Sequence, residues 1–155
     1  MTSSESSAGV PGSWTALAGA AGVHVGQVAP PRRVAVSAER VELLRSALRA
    51  ALGDTDAPLS LADICPDPLV FALESGLPRP LTLGRMIDGG STWTDLRPVG
   101  DDQLFAVSAV AEIVERTTRD GRRLVRIVYR TEFTDSRGVA VGTAAGTSLH
   151  VGELL

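Results

Sequence analysis

The sequence predicts an α+β domain in which an antiparallel sheet wraps one short buried helix, and three observations predict it. From Gln103 onward the chain falls into three long stretches of period-two alternation separated by turn signals. The segment Asp67-Pro-Leu-Val-Phe-Ala-Leu-Glu-Ser75 is almost wholly apolar between a capping residue and a glycine stop. The last alternating stretch carries Ala140, Gly142, Ala144 and Gly146 on one side, a strip without bulk that lets a helix or another backbone come close. A chain of 155 residues, 44% hydrophobic and 21% charged, is long enough to bury one core and too short for two ordinary domains.

Residues 1–21 are rich in Ser, Gly and Ala without an apolar period, so a disordered tail is expected there, with Trp14 its one anchor and the domain spanning 22–155. Val23, Val25 and Val28 lead to Pro30 and Pro31, and Arg33 to Val36 reads as a short extended piece. Ser37 suits an N-cap and Glu39 the positive end of a helix dipole. Val41, Leu44, Leu48 and Ala51 then recur at spacings of three and four, which predicts an amphipathic helix over 38–52 with Arg40, Arg45 and Arg49 mostly on its wet side. Gly53 ends it, and 54–66 is expected to be a loop. The 67–75 segment reads as a buried helix with Asp67 as cap and Pro68 at its first position; a buried strand is the competing assignment, because short apolar runs are ambiguous by period.

Strands follow. Met86 to Leu96 is extended, with Gly89-Gly90 marking a bulge or a close backbone approach. After a turn at Arg97-Pro-Val-Gly-Asp-Asp102, Gln103 to Thr118 alternates with Phe105, Val107, Ala109, Ala111 and Ile113 on one face. Arg119-Asp-Gly121 is a hairpin signal. Arg122 to Thr134 sets Val125, Ile127, Tyr129 and Phe133 against Arg126, Arg130 and Glu132; Asp135 to Gly138 turns again, and Val139 to Val151 closes the set.

Composition narrows the function. All 15 basic residues are arginine, they face 18 acidic residues, and the net charge of −3 argues against nucleic acid as the main partner. Cys65 alone makes no internal disulfide, and with only His24 and His150 it assembles no zinc site, so neither a metal nor a cofactor is expected. Cys65 reads as a small buried residue, and His150 falls on the Gly/Ala face of the last strand or faces solvent. No signal-peptide pattern is present and no apolar run approaches the roughly 18 residues of a membrane span, which predicts a cytoplasmic protein without membrane partners.

The order of helix, Gly-Asp loop, buried helix and meander resembles the MaoC-like dehydratase domain of the hot-dog superfamily. Three stretches carry the resemblance: Val34 to Asp54, a helix ending in Ala-Leu-Gly-Asp; Pro66 to Leu73, a proline followed by the apolar central helix; and TWTDLRPVGDDQLFAV, residues 92–107, similar to the family's aromatic-x-x-x-Arg-Pro segment with its following Gly-Asp pair. The likeness runs over roughly residues 22–152. It implies a hot-dog fold acting on acyl thioesters, on coenzyme A or on an acyl carrier protein.

Active members of the superfamily carry Gly-Asp-x-Asn-Pro-(apolar)-His. The aspartate and histidine move the protons that dehydration or hydration of the thioester requires, and backbone N–H groups, usually at the start of the central helix, hold the enolate-like charge. Here the segment is Gly53-Asp-Thr-Asp-Ala-Pro-Leu-Ser60: Asp54 matches the family aspartate, Asp56 stands where Asn is usual, and no histidine follows. The resemblance therefore implies a non-catalytic, pocket-shaping subunit of a heteromeric (R)-3-hydroxyacyl-thioester dehydratase or enoyl-thioester hydratase, paired with a second hot-dog that supplies Asp and His. Asp54 and Asp56 are the catalytic candidates, and Pro66, Phe71 and Trp93 the substrate-binding ones. Trp93 and Phe105 also read as core or interface aromatics. The arginines at 116, 119, 122, 123, 126 and 130 surround one hairpin; they read as a solvated edge-protecting set or, with Arg119, Arg122 and Arg123 foremost, as contacts for the phosphates of coenzyme A or an acidic carrier protein. Two alternatives stay open: a homo-oligomeric hot-dog thioesterase using Asp54, Asp56, Asp63 or Glu74, and a non-enzymatic acyl-thioester-binding or scaffold module.

Overall fold

The computed structural model describes residues 22–34, 37–53, 59–65, 67–80, 84–94, 97–98 and 103–154. The expected tail, the candidates Asp54, Asp56 and Pro66, and the Gly100-Asp101 pair lie outside the described residues. In chain order the elements are β1 (Arg32–Val34), α1 (Ala38–Leu52), α2 (Leu61–Ile64), α3 (Pro68–Glu74), β2 (Arg85–Thr94), β3 (Leu104–Thr117), β4 (Arg122–Thr134) and β5 (Ala140–Leu154). The five strands form one antiparallel sheet in the order β1-β3-β4-β5-β2, with α3 packed on its inner face. This is the α+β hot-dog arrangement.

Helix α3 forms where a cap and a proline define its start. Asp67 Oδ1 accepts from Leu69 N at 2.8 Å and Val70 N at 3.4 Å, and Pro68 occupies the first turn. Pro68, Leu69, Phe71, Ala72 and Leu73 are buried, whereas Val70 and Glu74 are exposed. The helix therefore has one wet edge, and the strand assignment is excluded.

Gly146 lets α3 lie against the sheet. A Cβ at this position would collide with the Leu69 backbone, so no larger residue leaves room for the helix. Ala144 beside it is buried, as are Ser148 and His150 further along β5. Of the small-residue strip read from the sequence, Gly142, Ala144 and Gly146 are buried and Ala140 is exposed, and Gly146 is where the central helix comes close.

Two sequence expectations need correction. The segment 54–66 is not all loop: Leu61–Ile64 is a helical turn, held at its start by Asp63, whose Oδ2 accepts from Ser60 N at 2.7 Å and Ser60 Oγ at 2.8 Å. One turn is too short to show a period. In β3 the core takes the face opposite to the Phe105 series: Leu104, Ala106, Ser108 and Val110 are buried, while Phe105, Val107 and Ala109 are half-buried on the outer face. The pairing with β4 shifts between Val110 and Glu112, and this irregularity returns Ile113 to the core side.

The remaining turns match their residues. Gly90, at φ 91°, lies in the β2 irregularity between Asp88 and Ser91. The β4–β5 turn is organised by Asp135, whose Oδ1 accepts from Arg137 N at 2.9 Å and Val139 N at 2.8 Å. Arg137 and those backbone N–H groups hold the Asp135 carboxyl below the usual carboxylate range, the Val139 N–H foremost.

Two substitutions test this architecture by denaturant unfolding. Gly146→Ala forces α3 off the sheet and lowers stability by about 2 kcal/mol or more; Asp67→Ala removes the cap and costs about 1 kcal/mol.

Candidate functional site

The start of α3 is where a thioester carbonyl would need donors, and its first-turn backbone groups can be accounted for one by one. Pro68 has no N–H. Leu69 N and Val70 N donate to the Asp67 carboxylate, and Phe71 N donates to Asp67 O at 2.9 Å. The second carboxylate oxygen, Oδ2, accepts from Ser91 Oγ at 3.1 Å and ties β2 to the helix start. These donors are occupied, and a carboxylate lies where negative charge would have to develop.

Next to this point stands an aromatic wall. Trp93 stacks on Phe133 with ring centroids 5.6 Å apart, and Phe71 meets the same ring at 5.7 Å, tilted by 45°. The Arg32 guanidinium lies 5.1 Å from the Phe71 centroid. The structure thus brings Phe71 and Trp93 together through Phe133, with Phe71 buried and Trp93 half-buried. Cys65 is buried in the same cluster.

The arginine candidates are not brought together. Arg122 and Arg123 are consecutive on β4 and so point to opposite faces. Arg122 Nε pairs with Asp120 Oδ2 at 2.9 Å beside the exposed turn that carries Arg119. Arg123 Nε pairs with Glu115 Oε1 at 2.8 Å on the inner face. Of the carboxylates open to a thioesterase, Asp63 is engaged in capping α2 and Glu74 lies 3.8 Å from Arg32 Nη1.

A second polar region occupies the inner face further along β5, between β2 and β4. His150 Nε2 and Ser148 Oγ are 3.0 Å apart and both residues are buried; Tyr129 OH donates to Pro78 O at 3.3 Å. Burial lowers the His150 pKa from its ordinary value and raises that of Tyr129, against which Ser148 and Arg79 act. The sequence leaves His150 either on the Gly/Ala face of β5 or facing solvent; it is buried on that face, in company the sequence did not show. The available signal was phase: Arg123 alternates with Val125 and Ile127, on the apolar side of β4.

Among the described residues there is no group of three or more His, Cys, Asp or Glu that could hold a metal ion, and no helix long and apolar enough to cross a membrane. No protein-family model matches the chain, and no curated protein matches it in sequence. Solved structures do. A MaoC-like dehydratase from Rhodospirillum rubrum is similar with a TM-score of 0.52 and 18% identity, over 86% of this chain and 97% of that one. The ChsH1-ChsH2 complex from Mycobacterium tuberculosis gives a TM-score of 0.52 and 15% identity, over 90% of each chain. At such identities the likeness is one of fold.

The buried imidazole makes a prediction about acid. Its pKa is lowered in the folded chain, so below the ordinary value of about 6.5 the unfolded state binds a proton that the folded state refuses. Stability is therefore lost as pH falls from 7 toward 5. Urea unfolding across that range shows a smaller loss in His150→Gln than in the parent chain.

Proposed function

We propose that the chain is the non-catalytic, pocket-shaping subunit of a heteromeric (R)-3-hydroxyacyl-thioester dehydratase or enoyl-thioester hydratase, working in the cytoplasm on acyl-coenzyme A or acyl-carrier-protein substrates. The observation that carries this reading is the helix start. With Leu69 N and Val70 N given to Asp67 and no N–H on Pro68, α3 offers no donor to an enolate-like oxygen, and the Asp67 charge would oppose it. The missing motif histidine after Asp54 points the same way. His150 does not replace it, being buried on β5 and bonded to Ser148.

What the chain contributes is a surface. Strand β2 lies at one edge of the sheet, and the side chains it turns to the inner face are exposed or half-buried. The reading places the acyl chain in a trough between β2, which turns Met86, Asp88, Ser91 and Trp93 to this face, and α3 with the wall of Trp93, Phe71 and Phe133. A long edge strand with unpaired backbone groups favours a second sheet beside it, and that partner supplies the catalytic Asp and His. One of the similar structures is a two-component complex, ChsH1-ChsH2, which supports this pairing. In the pair, Arg119 at the exposed β3–β4 turn is the arginine best placed to meet coenzyme A phosphates or a carrier protein.

Co-expression with a hot-dog chain encoded beside it and carrying the intact Gly-Asp-x-Asn-Pro-x-His, followed by a 3-hydroxyacyl-thioester dehydration assay, tests the reading. Activity is expected in the pair and not in this chain alone, and Asp54→Ala here leaves the pair's rate within about two-fold, a change of under half a kcal/mol in barrier. Turnover by this chain alone that Asp54→Ala abolishes would overturn it.

A further inference from the structure

All three helices send their apolar residues to the inner side of the sheet: α3 through Leu69 and Phe71, α2 through Leu61, and α1 through Val41, Leu44 and Leu48. At the end near the β3–β4 hairpin, the outer face contributes to neither core cluster. The register there lays three rows of side chains across β3, β4, β5 and β2. The first row is Arg116, Leu124, Val151 and Arg85, and the second is Val114, Arg126, Leu149 and Ile87. The third is Glu112, Val128 and Thr147, with Gly89 beside them, where a Cβ would meet the Thr147 and Leu149 side chains. Ile87 is 44% exposed, and the other apolar members are half-buried. A contiguous apolar surface rimmed by charge marks an interaction site.

The charges on this face select its occupant. Arg126 Nη2 holds Glu112 Oε1 at 2.8 Å, whereas Arg116 and Arg85 are exposed and make no ion pair among the described residues. Sheets stack face to face with their strands nearly aligned, so two two-fold arrangements lay this face on its own copy. An axis parallel to the strands sets Arg116 over Arg85 of the second copy, like charge on like. An axis along the second row instead sets the first row over the third. Arg116 then faces Glu112 of the second copy, and by symmetry the same contact forms twice. Leu124 lies over Val128, and Arg85 over Gly89, which has no side chain to obstruct it. Val114, Leu149 and Ile87 meet their own counterparts. Arg126 also meets its counterpart, but each is drawn aside to its own Glu112, which joins Arg126 and the incoming Arg116 in one network.

We propose that the chain pairs with a second copy of itself through this outer face, about a two-fold axis along the second row, with Glu112 of each copy taking Arg116 of the other. The β2 edge takes no part, so this contact is independent of the subunit reading above; combined with it, two edge-paired units stack into an assembly of four chains.

Sedimentation velocity of the full chain over a rising concentration series tests it. The mass doubles, and because the patch, roughly 14 Å on a side, is small for an interface, the dimer is of micromolar strength. Arg116→Glu and Glu112→Arg each place like charges across both contacts and weaken the dimer about ten-fold or more. Mixed with each other, the two variants restore opposite charges at both contacts, and the mixed dimer returns to within about five-fold of the parent's affinity. Misfolding would not be repaired by mixing. Raised salt weakens the parent dimer by screening the same contacts, a readout that needs no variant. A chain that stays monomeric throughout the series overturns the inference. So does a dimer that neither the variants nor salt weaken, which marks pairing through the β2 edge instead, and so do single-variant losses that mixing leaves unrepaired.

Discussion

The contact between Gly146 and Leu69 is the constraint on which the rest of the molecule depends. A helix of seven residues has little stability of its own and persists because tertiary packing holds it. It can bury Leu69, Phe71, Ala72 and Leu73 only if the strand beneath supplies no side chain at the point of nearest approach. Two core clusters then grow along the helix. One gathers Val23, Leu77, Val110, Ile127 and Tyr129; the other gathers Leu59, Leu61, Leu104, Phe133 and Val141. Seated higher, the helix would open both clusters together.

The same seating decides what the helix start can do. A helix start that assists a thioester carbonyl spends its backbone donors on the substrate, whereas here the residue before the proline takes them for its own carboxylate. That choice stabilises a short helix and removes electrostatic assistance from the position where charge would develop. Structural and catalytic uses of one set of N–H groups exclude each other, and here Leu69 N and Val70 N are given to Asp67.

Much of this was legible in the sequence, for identifiable reasons. Asp67-Pro68 followed by an apolar run states a capped buried helix, Asp120-Gly121 states a hairpin, and the Gly/Ala phase of 140–146 states a close approach. The α2 turn was not legible, because four residues carry no period and its signal is the local Ser60–Asp63 pairing. The buried face of β3 was misjudged because Phe105 and Val107 outweigh Ala106 and Ser108 in hydrophobicity, yet the outer face holds the larger residues. The inner-face polar residues were hidden for a different reason: Glu115, Arg123 and His150 come from three strands, and only the register places them on that face. Arg123 counted as one of many surface arginines, and only its place in the apolar phase of β4 separates it from Arg122.

The order of strands also bears on how the chain reaches this state. β3, β4 and β5 are consecutive in the chain and adjacent in the sheet, so they can zip together through two hairpins with little loop-closure entropy. The outermost strands are the distant ones: β1 crosses two helices, a turn and β2 before meeting β3, and β2 must wait for β5. Leu69 likewise finds Gly146 only after the meander has delivered it. Local pairing thus builds a platform first, and the long-range closures that carry the highest contact order come last. Strand β2, the edge that carries Trp93, is consequently among the last to pair, and a nascent chain leaves Leu69, Phe71, Ala72 and Leu73 without their bed until β5 has emerged.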